Sequence, residues 1–221
     1  MMKLLGMSSM ANNRRMYAET YALLFGTLLP PVAPPYIGHL SGGNVEIFNG
    51  TFENNYVGIF LNGSTLVDIE NSTFIDNQCG VYLRYSNNNL IANNTFVNCG
   101  LFVYDSYDNL VEDNTVNGGP LVYYEDLINF YVPGGGQIVL VNCSNVTFPI
   151  TGNFYNTTVA IELWKTNFTG ILGAEFKHNK VAIFVHGSKF VRIRDNDIME
   201  NELYGIYVCL LYTSPSPRDR G

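Results

Sequence analysis

Val45-Glu-Ile-Phe-Asn-Gly-Thr-Phe-Glu-Asn-Asn-Tyr-Val-Gly-Ile-Phe-Leu61 is followed by Val67-Asp-Ile-Glu-Asn-Ser-Thr-Phe-Ile-Asp-Asn-Gln-Cys-Gly-Val-Tyr-Leu83, the same pattern 22 residues later. Phe52, Phe74 and Phe96 keep that spacing, as do Phe154, Phe176 and Ile198. Five residues before Phe52, Phe74, Phe96, Phe176 and Ile198 lies another apolar column, Ile47, Ile69, Ile91, Ile171 and Ile193, and Val111 and Val116 keep the offset in a coil two residues shorter. A third column follows a small residue: Gly58-Ile-Phe-Leu61, Gly80-Val-Tyr-Leu83, Gly100-Leu-Phe-Val103, Ala160-Ile-Glu-Leu163, Ala182-Ile-Phe-Val185 and Gly205-Ile-Tyr-Val208. Each period therefore predicts three short strands.

Apolar residues alternate with variable ones inside each strand, as in Ile59/Leu61 and Ile183/Val185, so one face points inward. No single coil buries that face, but coils stacked about 4.8 Å apart bury it continuously and place like residues in ladders. The predicted fold is all-β, a right-handed parallel β-helix of about seven coils, on the order of 30 Å long. Asn55, Asn77, Asn179 and Asn201 recur at one turn, with Cys99 and Thr157 in two coils, and are expected to form a structural ladder of stacked amides. Cys79 and Cys99 fall at equivalent points of neighbouring coils. A disulfide between them is geometrically open, and a pair of small buried thiols is the alternative.

Composition agrees. The chain of 221 residues is 47% apolar but only 14% charged, against the usual quarter or so. Its polar surface comes from Asn, Thr, Ser and Gly, of which Asn and Gly reach left-handed conformations cheaply. A net charge of −7 excludes a nucleic-acid partner that needs clustered Lys and Arg. Four cysteines without a CxxC pair give neither a zinc spacing nor a small disulfide framework.

The period sets the expected divisions: residues 1–39 as an N-terminal segment, 40–208 as the coils, and 118–136 as an insertion that delays the next expected phenylalanine. The first segment carries Arg14 and Arg15, a short apolar run from Tyr21 to Leu29 and a proline-rich run from Pro30 to Pro35. It reads as a cap, a weak export signal or a mistaken start, and its apolar run is too short to span a bilayer. The insertion is expected to be a loop on one side of the solenoid and the best place for specificity.

Asn114-Thr-Val-Asn-Gly-Gly-Pro-Leu-Val-Tyr-Tyr124 and Gly136-Gln-Ile-Val-Leu-Val-Asn-Cys-Ser-Asn-Val-Thr147 resemble the NosD-like, periplasmic copper-binding-type β-helix repeats of archaeal and bacterial surface proteins. The resemblance spans about Ser41 to Val208 and implies a monomeric solenoid placed outside the cell, on its surface or in the periplasm. For activity it implies several choices: polysaccharide lyases, hydrolases and epimerases, accessory factors of nitrous oxide reductase maturation, and surface proteins of no assigned activity. Residues 209–221, Cys209-Leu-Leu-Tyr-Thr-Ser-Pro-Ser-Pro-Arg-Asp-Arg-Gly221, resemble a translated sequencing adapter and are expected to be foreign to the solenoid, which makes the chain a piece of a longer protein.

Candidate chemistry is sparse. A lyase on this fold would use carboxylates to hold calcium and an Arg or Lys to take a proton. The acidic candidates are Asp113, Glu125 and Asp126, with Asp105, Asp108 and Glu112 nearby. The basic ones, Arg192 and Arg194, fall several coils away, roughly 15 Å along a straight stack. Val185-His-Gly-Ser188 and Arg192-Ile-Arg194 echo two motifs of the pectin hydrolases but stand too close together, and that family's aspartate motifs are absent. Copper would need His, Met or Cys side by side, whereas His39, His178 and His186 are scattered and the methionines crowd into the first segment. His178 shares a turn column with Asn54, Asp76, Asn98, Asn156 and Glu200, which suits an exposed turn residue. Tyr104, Tyr107, Tyr123 and Tyr124, near strand ends and the insertion, are the candidate ligand-binding residues, because sugar rings stack on such faces; tyrosines are also ordinary on exposed strands. Eight Asn-x-Ser/Thr sequons, at Asn49, Asn62, Asn71, Asn93, Asn142, Asn145, Asn156 and Asn167, fit an extracellular setting.

The expectation is a secreted or surface module that binds a polysaccharide or builds an envelope, without catalysis in these residues, without a cofactor or metal and without a membrane span. The alternatives are a carbohydrate-active enzyme, with calcium if it is a lyase, and a copper-maturation accessory protein.

Overall fold

In a computed structural model of the chain, residues 45–148 and 152–209 are described. The N-terminal segment with His39 and its methionines, and the tail from Leu210 on, lie outside the described residues. Among the described residues all regular structure is β, built of coils whose three strands fall in three sheets. The first stack contains β1 (Val45–Phe48), β4 (Val67–Glu70), β7 (Leu90–Ala92) and β10 (Leu110–Glu112) in one sheet. Its second sheet holds β2 (Thr51–Glu53), β5 (Thr73–Ile75), β8 (Thr95–Val97) and β11 (Thr115–Val116), and its third holds β3 (Val57–Asn62), β6 (Cys79–Arg84) and β9 (Leu101–Tyr104). The second stack is built of β12 (Gly119–Glu125), β14 (Gln137–Val141), β17 (Val159–Trp164), β20 (Val181–His186) and β23 (Tyr204–Cys209) on one face. Its other faces are β13 (Ile128–Tyr131), β15 (Ser144–Thr147), β18 (Asn167–Leu172) and β21 (Val191–Arg194), then β16 (Asn153–Tyr155), β19 (Glu175–Lys177) and β22 (Asp197–Met199).

The 22-residue period becomes the strand register: Ile47 pairs with Ile69, Phe52 with Phe74 and Phe154 with Phe176. Phenylalanine rings stack along the axis at 5.0 and 4.8 Å in the first stack and 5.1 Å in the second. The turns are held by polar ladders in which a backbone N–H of one coil donates to a side-chain oxygen of the next. Asn55 N reaches Asn77 Oδ1, and Asn179 N reaches Asn201 Oδ1. Three further ladders, absent from the sequence reading, do the same at other corners: Ser72 N to Asn94 Oδ1 and Asn94 N to Asn114 Oδ1, Val67 N to Asn89 Oδ1, and Ser64 N to Ser86 Oγ. Turn columns outside these ladders sit at positive φ, including the exposed Asn54, Asp76, Asn98, His178 and Glu200 and the half-buried Asn156, a conformation that, glycine apart, Asn and Asp adopt most cheaply.

The buried Asn94 completes one such corner, since its Nδ2 also donates to Ile69 O and Asn114 Oδ1. Asn94→Leu should leave a buried N–H and a buried carbonyl without partners and cost about 2–6 kcal/mol, at ~1–3 kcal/mol for each unmet group. Urea unfolding measures it; a cost under ~1 kcal/mol would show that water replaces the amide.

The reading of 118–136 as a surface loop is corrected. Asn117 and Gly118, both at positive φ, form a two-residue turn that pairs β11 antiparallel with β12, as an Asn-Gly hairpin does. β12 and β13 then pair in parallel with β14 and β15, so the supposed insertion is most of a coil. The single straight stack is corrected with it: β12 leaves the sheet of β9 and continues that of β11, giving a nine-stranded sheet shared by both stacks.

The reversal brings the outer face of the second stack against the end of the first. β9, the last strand of its sheet, finds side chains where the next coil would be: Leu101 N donates to Gln137 Oε1, Gln137 Nε2 to Leu101 O, Gly100 N to Thr158 Oγ1 and Val103 N to Glu162 Oε2. Val139, Val141, Val159, Trp164, Val181 and Phe184 join the core of the first stack, whereas Ile138, Leu140, Ile161, Leu163 and Ile183 fill the second. β14, β17 and β20 are consequently buried on both faces.

Candidate functional site

Folding the second stack onto the first creates a joint with two open edges, one polar and one aromatic. At the polar edge the turn before β6 and β9 meets the equivalent turn before β17, β20 and β23. Thr158 Oγ1 donates to Gln78 O and Asn117 Nδ2 to Tyr155 O, tying the turns across the joint. Between them is a cleft of about 240 Å³ lined by Asp76, Asn77, Gln78 and Asn98 of the first stack and Asn156, His178, Lys180 and Glu202 of the second.

The cleft holds one ion pair, in which Lys180 Nζ donates to both oxygens of Glu202, at 2.6 and 2.7 Å. His178 Nε2 lies 3.4 Å from Glu200, which Lys177 Nζ also approaches at 3.4 Å, and Asn98 Nδ2 donates to Asp76 Oδ1 at 2.8 Å. Asn77 is committed to the fold, accepting from Asn55 N and donating to Phe52 O. The side-chain amides of Gln78 and Asn156 have no hydrogen-bond partner among the described residues, and each offers a donor and an acceptor. Such a surface suits a neutral ligand rich in hydroxyl groups. No group of three or more His, Cys, Asp or Glu that could hold a metal occurs among the described residues.

At the other edge, Tyr107 joins the stacks. Its hydroxyl donates to Asp105 Oδ1 at 2.9 Å and accepts from Trp164 Nε1 at 2.9 Å and Lys165 Nζ at 2.6 Å. Lys165 is also 3.7 Å from Asp105, so the reversal places a cation beside an acid that a straight stack would keep apart. Trp164 stacks on His186 at 3.9 Å and meets Tyr104 edge-on at 4.8 Å. Burial lowers the His186 pKa and raises that of Tyr104. The Tyr107 oxygen, with three partners, is saturated, and this edge works as a clasp.

The predicted residues do not converge. Tyr104 and Tyr107 enter the clasp. The Tyr123 hydroxyl donates to Glu125 Oε2 at 2.8 Å, while Tyr124 packs edge-on against Phe130 on the other side of its strand. Glu125 Oε1 accepts from Asp108 N, which occupies its second oxygen; burial raises its pKa, with the Asp108 N–H pulling the other way. Asp126 is exposed and accepts from Asn142. Asp113 is exposed in the turn beyond the far end of β10 from Asp108, so the two acids do not face each other across one strand end. Cys79 and Cys99 are free and buried, and burial pushes the Cys99 thiol up to about 11, so neither thiol is a ready nucleophile.

The cleft was missed because its walls come from stacks whose meeting depends on the reversal. Its members were visible only as turn columns, His178 among them.

The family described as right handed beta helix region matches residues 37–132, which takes in the first stack and the hairpin that ends it. That likeness agrees with the parallel coil geometry of the strands it covers. No curated protein and no solved structure matches the chain. No helix among the described residues is long and apolar enough to cross a membrane.

Proposed function

We propose that the chain is a carbohydrate-binding β-helix module of a secreted or surface protein, and that the cleft between its stacks holds the glycan. The observation that carries this reading is the cleft wall itself: unengaged Gln78 and Asn156 amides beside a Lys180–Glu202 ion pair and an Asp76 carboxylate that already holds the Asn98 amide. Sugar hydroxyls both donate and accept, which matches amides, whereas an anionic ligand would meet the Asp76 carboxylate, which has no cation beside it among the described residues. A placement outside the cell accords with the sequons and with the resemblance to surface repeats. Binding without catalysis accords with the occupied oxygens of Glu125.

The test is calorimetric titration of the whole chain with a panel of neutral and uronic-acid polysaccharides, with new reducing ends and unsaturated products followed in parallel. Gln78 is exposed and uses only its backbone to hold the fold, so Gln78→Trp should fill the cleft and leave the melting temperature unchanged. The expected result is a neutral polysaccharide bound at least ten-fold more weakly by Gln78→Trp, with no product. Equal binding by the variant would remove the cleft from the site, and product formation would replace the binding module with an enzyme.

A further inference from the structure

We propose that Asn49, Asn71 and Asn93 form a ridge of N-linked glycan acceptors along the first stack, used on alternate coils. Each begins an Asn-x-Thr sequon, completed by Thr51, Thr73 and Thr95. The three occupy one turn column, between β1 and β2, β4 and β5, and β7 and β8, at φ 55°, 50° and 56°. All three are exposed. Their side-chain amides, and the hydroxyls of the three threonines, take no hydrogen bond among the described residues, whereas the neighbouring ladder residues Ser72 and Asn94 are buried and bonded.

Most of the other sequons differ in a way that matters for a bulky attachment. Asn142 and Asn145 donate their amides to Asp126 and Asn129. Asn167 Oδ1 accepts from Lys189 N, Asn156 lines the cleft, and Asn62 is half-buried. The next coil ends the ridge, because Asp113 takes the column.

The chemistry needs a lipid-diphosphate-linked oligosaccharide. The amide Nδ2 forms a bond to sugar C1 as the C1–O bond breaks; the diphosphate leaves with the electron pair and the amide proton passes to solvent. Neighbouring acceptors stand about 4.8 Å apart, too close for two branched sugars side by side, whereas Asn49 and Asn93, two coils apart at ~9.6 Å, leave room. A glycan on Asn71 and glycans on its two neighbours therefore exclude each other.

The proposal rests on the surface placement above but not on the cleft, and a borrowed export signal makes its test independent of the chain's own destination. The whole chain behind a cleavable signal is secreted from an N-glycosylating cell line, then weighed intact and mapped after enzymatic glycan release in heavy-oxygen water. The expected molecules carry glycans at Asn49 and Asn93 together or at Asn71 alone, and Thr73→Val, which removes the middle sequon and keeps a β-branched strand residue, raises occupancy of the outer two at least two-fold. Secreted chain without sugar at any of the three, or one molecule bearing all three, overturns it.

Discussion

Trp164→Ala is expected to lower stability by about 3–5 kcal/mol, the largest loss from any one side chain at the joint. Trp164 is 1% exposed and belongs to the second stack, but Tyr104 and Tyr107, two of its partners, belong to the first. Removing the indole empties space between the stacks, frees the face of His186 and takes one donor from the Tyr107 hydroxyl. Total stabilities run to roughly 5–15 kcal/mol, so much of the margin would go. Denaturant unfolding followed by far-ultraviolet circular dichroism is the measurement, because Trp164 is the only tryptophan and the variant has lost its fluorescence probe. Trp164→Phe separates packing from the hydrogen bond and should cost ~1 kcal/mol for the bond plus a smaller packing loss. An alanine cost below ~1 kcal/mol would mean that the joint is loose. The proposed polysaccharide binding should weaken with it, because the cleft is the opposite edge of the same joint.

The coils were legible because stacking forces the sequence to repeat. Phe52, Phe74 and Phe96 must touch one another along the axis, and the spacing of 22 is the trace of that contact. The ladder at Asn55, Asn77, Asn179 and Asn201 was legible for the same reason, although its bonds run from backbone N–H to side-chain oxygen rather than from amide to amide alone. The reversal was not. Asn117-Gly118 carries it, but Asn49-Gly50 and Asn62-Gly63 are the same dipeptide in turns that do not reverse. In a chain where every coil needs left-handed residues, an Asn-Gly pair marks a turn without giving its direction.

One signal of the joint was present. Val181-Ala-Ile-Phe-Val-His186 and Gln137-Ile-Val-Leu-Val141 are nearly unbroken apolar runs, as strands covered on both faces are, whereas Val191-Arg-Ile-Arg194 alternates and has one exposed face. Comparing the two patterns marks which sheet is doubly covered but not what covers it. The cleft could not be read at all, since Gln78 and Lys180 meet only once that sheet is seated against β9.

Glu162 is the residue where that seating works against the local rule, and Glu162→Gln is expected to stabilise the protein increasingly as pH rises. The carboxyl is fully buried in the doubly covered strand β17. Its Oε2 accepts from Val103 N at 3.2 Å, while Oε1 has no partner among the described residues, and nor does the buried Tyr82 hydroxyl. Burial raises the pKa well above its ordinary 4.5, with the Val103 N–H alone acting to lower it. The facing groups are Cys79 and Tyr82 of β6 and Tyr123 of β12, whose own pKa values are raised as well, so none supplies a countercharge at neutral pH.

A carboxyl raised in the folded state contributes its full share of stability below pH 4.5, where both states are protonated. That share is lost as pH climbs, because the unfolded chain releases a proton that the folded chain keeps. The loss is about 1.4 kcal/mol per pH unit until the pH passes the folded-state pKa. His186, whose pKa is lowered from 6.5 by burial, acts in the opposite sense, losing stability as pH falls below 6.5. It is present in both proteins and cancels in their difference. Unfolding free energies of wild type and Glu162→Gln, compared from pH 5 to 8, should diverge in favour of the variant as pH rises, until the pH passes the raised folded-state pKa. A difference that stays flat across the range would mean that the carboxylate remains charged in the joint, with water or a cation reaching Oε1.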